Sequence, residues 1–314
     1  MSLSMTKAKA MKIDEFYTQF SDIEEELVHY KKFFFKKKVY CCCDNPEYSN
    51  FVKFFLTHFY DYGLRKLFVS CSSIHETTAM WVEYSSPESC VRHTFIGNGS
   101  ITSAECNKIF KETDIVVTNP PFSKAKFLIK YLIHENKSFI IVGNRNIITS
   151  DTMFEFFMKK EIRFGFGFKS NTANFIIPEE LYGHYSKDVV RKEKNIVRFR
   201  NVTWFTNLPI YVPPLKRIYT KKYDPQKYKK YDQFDAINID KISEIPIDYT
   251  GKMGVPITIL DKFDYGQFQL LGIDRTIQGN NTKTRFSVNG KRKYVRVIII
   301  NKKTNGEKIQ TCNK

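Results

Sequence analysis

The segment that most constrains this chain is Ile115-Val-Val-Thr-Asn-Pro-Pro-Phe122. Four apolar or β-branched residues in a row favour a strand covered on both faces, as in a parallel sheet. Two prolines end that strand, because neither can donate to a ladder. Each also fixes its own φ and holds the residue before it extended. Asn119 is therefore expected at the carboxyl edge of the sheet, where open α/β folds bind their ligands. A helix predicted over 126–135 and an apolar strand over 138–143 complete a βαβ crossover after this corner.

The corner suits one kind of chemistry. An exocyclic amine on a heteroaromatic ring is a poor nucleophile, because its lone pair is delocalised. The Asn119 carboxamide oxygen can accept one of its N–H groups and the Pro120 carbonyl the other. Two fixed acceptors favour a pyramidal nitrogen and offset the positive charge that develops as it attacks an electrophile. Phe122 adds an aromatic face that would stack on the ring, a contact worth roughly 1–3 kcal/mol per base.

Asn119-Pro-Pro-Phe122 after an apolar strand resembles the catalytic motif of S-adenosylmethionine-dependent amino-methyltransferases. Within that class the chain resembles the EcoRI-type adenine-N6 DNA methyltransferases. Five blocks carry the likeness in order: Asp14-Glu-Phe-Tyr-Thr18, Cys43-Asp-Asn-Pro-Glu-Tyr-Ser-Asn-Phe51, Asp114 through Ser123, Trp204-Phe-Thr-Asn-Leu208 and Gly254-Val-Pro-Ile-Thr-Ile-Leu260.

The resemblance implies an α/β fold: a Rossmann-like S-adenosylmethionine methyltransferase sheet with helices on both faces, over residues 1–212. A smaller α+β region over 213–314 would recognise DNA. It implies catalysis by Asn119, Pro120, Pro121 and Phe122. It further implies that Phe16, Tyr17 and Thr18 wall the cofactor pocket at its methionine end. Cys43, Asp44, Pro46, Ser49 and Asn50 would hold the cofactor after the first strand, with Asp44 facing the methionine ammonium or another polar group. The implied activity is methyl transfer to N6 of a flipped-out adenine in double-stranded DNA. The enzyme would modify the site of a companion restriction endonuclease. The same motif also serves cytosine N4, RNA adenine and protein glutamine, and a decayed DNA-binding relative would keep the fold alone.

Other local readings stay open from sequence. The turn 44–50 is a capped helix start or a cofactor loop. The common Gly-x-Gly loop is missing there, a departure from the usual methyltransferase pattern. Ser72 and Ser73 follow the predicted second strand, 67–71, where related enzymes often carry an acidic residue for the ribose; His75 and Glu76 stand nearby. The Gly-rich turn 95–100 is a hairpin or an approach to the cofactor adenine. Residues 162–168 and 195–206 alternate and are expected to form the antiparallel strands that finish the sheet. Trp204 reads as core, and 171–180 as a cover for the flipped base.

The formal net charge is +17, an excess that favours a polyanionic partner. It concentrates after Pro213-Pro214, where Lys, Arg and Tyr interleave over 216–231. Arg217, Lys221, Lys222, Lys227, Lys229 and Lys230 are candidates for phosphate contact, against the plainer reading of a solvated face. Tyr219, Tyr223, Tyr228 and Tyr231 either pack or stack. Asn289-Gly290 between apolar runs predicts a two-residue hairpin.

No apolar run approaches the ~20 residues of a membrane span, and no secretory signal is evident, so a cytoplasmic protein is expected. Seven cysteines then imply a reducing compartment and free thiols. Cys41, Cys42 and Cys43 are expected to alternate along a strand, which would keep them from converging on one metal; no metal is expected.

Overall fold

The computed structural model describes residues 17–72, 79–168, 172–176, 190–191, 196–277 and 284–302. The chain divides into two compact units, one of residues 1–147 and 159–210, the other of 148–158 and 211–314. Among the described residues, no helix is long and apolar enough to cross a membrane.

The first unit contains β1 (Tyr17–Thr18), β2 (Lys38–Cys41), β3 (Lys66–Cys71), β4 (Met80–Ser86), β5 (Ser89–Thr94) and β6 (Ile115–Thr118). It continues with β7 (Ser138–Asn144), β8 (Arg163–Phe164), β9 (Thr172–Ile176), β10 (Val190–Arg191), β11 (Ile196–Arg200) and β12 (Val202–Thr206). Among the described residues, eight strands form one mixed sheet in the order β5-β4-β3-β2-β6-β7-β12-β8. β2 runs parallel to both β3 and β6, and β6 runs parallel to β7. β4 is antiparallel to β3, and β12 is antiparallel to β7 and β8.

From β2 the chain builds outward through β3, β4 and β5. It then returns through the helix Ala104–Glu112 to place β6 on the other side of β2. The strand order therefore reverses between β2 and β6, the place where open sheets leave a crevice at their carboxyl ends. All four residues of β6 are buried, as a strand covered on both faces requires.

Alternation along β2 shows what covers it. Val39 and Cys41 join a core with Phe51, Phe54, Phe55 and Trp204. Tyr40 turns the other way, its ring 5.0 Å from Phe110 of the helix Ala104–Glu112. Trp204 is fully buried, stacked on Phe168 and edge-on to Phe51, in the core where its sequence context places it.

The strands expected to finish this sheet behave differently from the alternating pattern. β12 does so, but β11 belongs to a second sheet, in the order β1-β9-β11-β10. One residue separates them: Asn201 takes a left-handed conformation, φ 61°, and passes the chain from one sheet to the other. Of 162–168 only Arg163–Phe164 pairs as strand. The next residues turn inward around a buried carboxylate. Glu26 accepts from the Phe166 and Gly167 amides at 2.9 Å each and from the Tyr30 hydroxyl at 2.8 Å. Its burial pushes the carboxyl up to about 7, against those three hydrogen bonds.

The second unit holds the helix Asp151–Met158, β13 (Ile237–Asn238), β14 (Met253–Pro256), β15 (Phe268–Ile273), β16 (Ser287–Val288), β17 (Lys291–Arg292) and β18 (Arg296–Asn301). β13, β14, β18 and β15 form a sheet in that order. The apolar block Gly254–Leu260 reads as one strand, but the strand stops at Pro256, and Ile257–Leu260 makes a 3-10 turn. The Asn289-Gly290 hairpin is present, with φ 51° and 73° at its two central residues. Asp232 clamps it, accepting from both turn amides at 2.9 Å.

Gly165 has no room for a side chain. A Cβ there would meet the Glu26 carboxylate and lie 2.8 Å from Trp204 Cβ. Gly165→Ala should therefore lower stability by about 1–3 kcal/mol, read as a reduced urea midpoint with an unchanged slope.

Candidate active site

A cavity of about 250 Å³ lies at the carboxyl ends of β2 and β6. Five segments contribute its walls: β1, the turn after β2, the end of β3, the turn after β5 and the Asn119-Pro-Pro corner with the helix that follows it. The corner forms as its prolines dictate. β6 stops at Thr118, and Pro121 takes φ −46° and ψ 129° at the start of the helix Phe122–His134. The Pro121 carbonyl is committed to that helix, accepting from the Lys124 and Ala125 amides at 2.7 and 3.2 Å. Asn119 and Pro121 line the cavity, and so does the exposed Lys124.

Pro120 is buried and is not among the cavity-lining residues. Phe122 is placed differently from expectation. It begins the helix, which starts four residues before the predicted one, and only 8% of it is exposed. Its ring meets Phe175 and Phe199 edge-on, at 5.9 and 6.3 Å, and does not line the cavity. The reason is the helix phase: Phe122, Ala125, Leu128, Ile129 and Leu132 share the buried face.

The turn after β2 supplies Cys42, Cys43, Asp44, Ser49 and Asn50. Ser49 caps the helix Asn50–Thr57, accepting from the Phe51 amide at 3.1 Å. Asp44 is only 6% exposed. Its Oδ1 accepts from the Ser49 hydroxyl and its Oδ2 from the Thr118 hydroxyl, both at 2.7 Å. Burial pushes the Asp44 carboxyl up to about 6, with the two hydroxyl hydrogen bonds pulling the other way. Among the described residues no Lys, Arg or His forms an ion pair with it. Pro46 is half-buried and lies outside the lining.

Tyr17 and Thr18 also line the cavity, held by pairing with Ile176 and Phe175 of β9. Asn50 ties this strand to the β2 turn, donating to the Thr18 carbonyl at 2.8 Å. Thr18 is 3% exposed, and its hydroxyl oxygen has no hydrogen-bond partner among the described residues. Gly99 and Ile101 approach from the turn after β5, and Cys71 and Ser72 from the end of β3. Gly99 is left-handed, φ 66°, in a turn with no slack: a Cβ would lie 3.0 Å from the Cys71 carbonyl.

Among the described residues, the cavity is lined by Asp44, a buried carboxylate without a cation, and by Thr18, whose buried hydroxyl has no partner. An acceptor and a donor of that kind fit the ammonium and carboxylate of an α-amino acid. Phe16, Ser73, His75 and Glu76, together with 171 and 177–180 of the expected base cover, lie outside the described residues. Sequence reading passed over Tyr48, Ile101 and Lys124 as site residues, all of which line the cavity. Lys124 carried the one available signal, standing two residues beyond the motif.

The cysteine expectation needs correcting in its premise. β2 ends at Cys41, so strand alternation stops there, and Cys42 and Cys43 lie in the turn with their sulfurs 3.9 Å apart. Among the described residues no group of three or more His, Cys, Asp or Glu side chains could hold a metal ion.

In the second unit the interleaved stretch sorts itself by side chain. Tyr228 and Tyr231 are buried; Tyr219 packs on Phe268, and Tyr223 on Tyr228 and Tyr249. Lys221, Lys222, Lys227, Lys229 and Lys230 are exposed. Lys230 pairs with Asp235 at 2.7 Å. Arg217 is half-buried, with a guanidinium nitrogen 3.5 Å from the Asp261 carbonyl.

An open α/β sheet whose switch-point cavity carries an Asn-Pro-Pro corner defines a methyltransferase. The chain belongs to the family described as adenine-specific methyltransferase EcoRI, whose profile matches residues 4–304. It is 38% identical to the Type II methyltransferase M.EcoRI of Escherichia coli, over 95% of this chain and 96% of that protein. A Type II methyltransferase of Mycoplasma genitalium is 34% identical, over 93% of this chain and 97% of its own. M.MpnI of Mycoplasma pneumoniae, also a Type II methyltransferase, is 33% identical over 93% and 96%. No solved structure matches the chain.

Thr118→Val keeps the shape of the side chain and removes one of the two donors to Asp44. It should cost about 1–3 kcal/mol at pH 8. The buried carboxyl weakens folding most when ionised, so the cost should shrink as pH falls below about 6, where Asp44 takes a proton. Urea unfolding at pH 8 and pH 5 measures both.

Proposed function

We propose that this chain is an S-adenosylmethionine-dependent, site-specific DNA methyltransferase that modifies adenine at N6. The observation that carries the reading is the cavity joining the Asn119 corner to the turn after β2. Its place at the reversal of strand order supports a Rossmann-like methyltransferase sheet. Membership of an adenine-specific family favours adenine over cytosine N4, RNA adenine or a glutamine amide. The Type II names of the relatives support a role in restriction and modification, beside an endonuclease that reads the same site.

When bound, the cofactor supplies a methyl group already activated on a sulfonium, so the protein needs neither a metal nor a covalent intermediate. Asp44 would hold the cofactor ammonium, a counter-charge for its buried carboxylate. The Thr18 hydroxyl would donate to the carboxylate of the same amino-acid moiety. At the corner the Asn119 amide oxygen accepts one N6–H group; the Pro120 carbonyl, whose residue lies outside the lining, accepts the other only if the corner shifts as the base enters. The two oxygens hold the nitrogen lone pair out of conjugation and stabilise the ammonium-like charge as it forms. One of those protons then leaves to solvent.

An adenine inside a duplex cannot reach such a cavity, so it must be flipped out at a cost of a few kcal/mol. Phosphate contacts by the second unit offset that cost. Lys221, Lys222, Lys227 and Lys229 are the cations for that role, with Arg217 and Lys230 contributing less because each already has an internal partner. Phe122 supports the corner from the core side and meets the base only if its ring rotates out.

Asn119→Ala should leave DNA binding intact and abolish N6-methyladenine, measured by mass spectrometry of digested DNA; turnover in that variant overturns the role. Affinity for S-adenosylmethionine should be highest near pH 7 and fall as pH drops through about 6, as Asp44 is protonated. Calorimetric titration across pH reads it, and no binding at any pH would mark a decayed pocket. Changing Lys221, Lys222, Lys227 and Lys229 together to Gln should weaken DNA binding equally for all sequences. The salt slope should fall by roughly 0.9 for each phosphate that the protein no longer neutralises.

A further inference from the structure

The turn after β2 carries a chemistry that methyl transfer does not use. Cys42 and Cys43 are consecutive, both line the cavity, and their sulfurs stand 3.9 Å apart, in van der Waals contact. The backbone around them is held in place. The Cys42 carbonyl accepts from the Ser70 hydroxyl at 3.2 Å, and the Asp44 amide donates to the Ser70 carbonyl at 3.0 Å. Two soft ligands, Cys43 half-exposed and Cys42 buried behind it, therefore stand in the wall of a cavity where, among the described residues, no third ligand group completes a metal site. Four-coordinate zinc does not fit such a pair. A thiophile that needs two sulfurs and brings its own remaining substituent does.

We propose that Cys42 and Cys43 form a dithiol site on the cavity wall that chelates a trivalent arsenical, and that its occupation excludes the ligand of the cavity. With phenylarsine oxide the step balances without redox change. Two As–S bonds form, the arsenic–oxygen bond breaks, and the oxygen leaves as water with both thiol protons. Burial pushes the Cys42 thiol well above its ordinary value. The half-exposed Cys43 therefore attacks first, and Cys42 closes the ring. Chelation pulls the two sulfurs onto one atom. The strain falls on Asp44, the next residue, whose carboxylate holds Ser49 and Thr118.

The chelation stands on the sulfur geometry alone; the exclusion rests on the cofactor reading above. The test uses the full-length reduced protein, phenylarsine oxide, intact-mass measurement and a count of free thiols. One arsenical per chain should bind and two of the seven cysteines should disappear. The adduct should resist monothiols and be released by dithiothreitol. Cys43→Ser should form no stable adduct, while Cys71→Ser, which changes another cysteine of the same cavity, should form it normally. The absence of an adduct on the native protein overturns the dithiol site. So does an adduct that survives Cys43→Ser or needs Cys71. Cys43→Ala, with its melting temperature checked, guards against a folding defect in the serine variant. Cofactor affinity of the loaded protein should fall by roughly tenfold or more, and S-adenosylmethionine should slow loading; equal affinity overturns the exclusion. A protein that takes the arsenical but binds no S-adenosylmethionine even when unloaded refutes the functional reading and leaves the dithiol site standing.

Discussion

A buried carboxylate with two hydroxyl donors holds this site together. Asp44 sits in the turn after one strand, Thr118 ends the neighbouring strand, and Ser49 caps the helix between the first strand and the next. One side chain thus ties the turn after β2 to the residue before Asn119. Desolvating a carboxylate among neutral partners is unfavourable, and its raised pKa expresses that cost. In the proposed function that cost is offset by a cationic group of the ligand, so the same desolvation that weakens the fold would favour a cation in the cavity.

The sheet supplies what this bond needs. Because β2 and β6 are neighbours reached by opposite routes, their carboxyl ends open side by side rather than being roofed by one crossover. The second sheet then brings β1 to the rim through β9, and Asn50 locks it there. Glu26 performs a comparable service deeper in the core, gathering the Phe166 and Gly167 amides that would otherwise be buried without acceptors. Both carboxylates organise irregular backbone at the ends of strands, where ladder partners run out.

Much of this was legible because its causes are local. The strand at 115–118, a capped helix start in the turn 44–50 and the Asn289-Gly290 hairpin each follow from a few neighbouring residues. The errors share a cause too. Phe122 looked like a free aromatic face, but helix phase turned it into the core. β11 and β12 looked like one sheet's strands, but a single left-handed Asn201 divides them between two. The cysteines looked alternating, but the strand was too short. β4 went unpredicted, and β5 was expected only as a strand of unstated bounds before the turn 95–100: it is exposed along almost its whole length and buries little apolar surface to betray it.

By itself the sequence determined the proline-stiffened corner, the placement of Asn119 at a strand's end and the family to which the chain belongs. Backbone dihedrals and residue order suffice for these. Tertiary structure alone decided that Asp44 meets Thr118 across 74 residues, that the Thr18 hydroxyl is buried without a partner, and that lysines face outward while tyrosines pack inward. Those outcomes depend on which distant groups the sheet order brings within hydrogen-bonding reach, and no local pattern encodes that order.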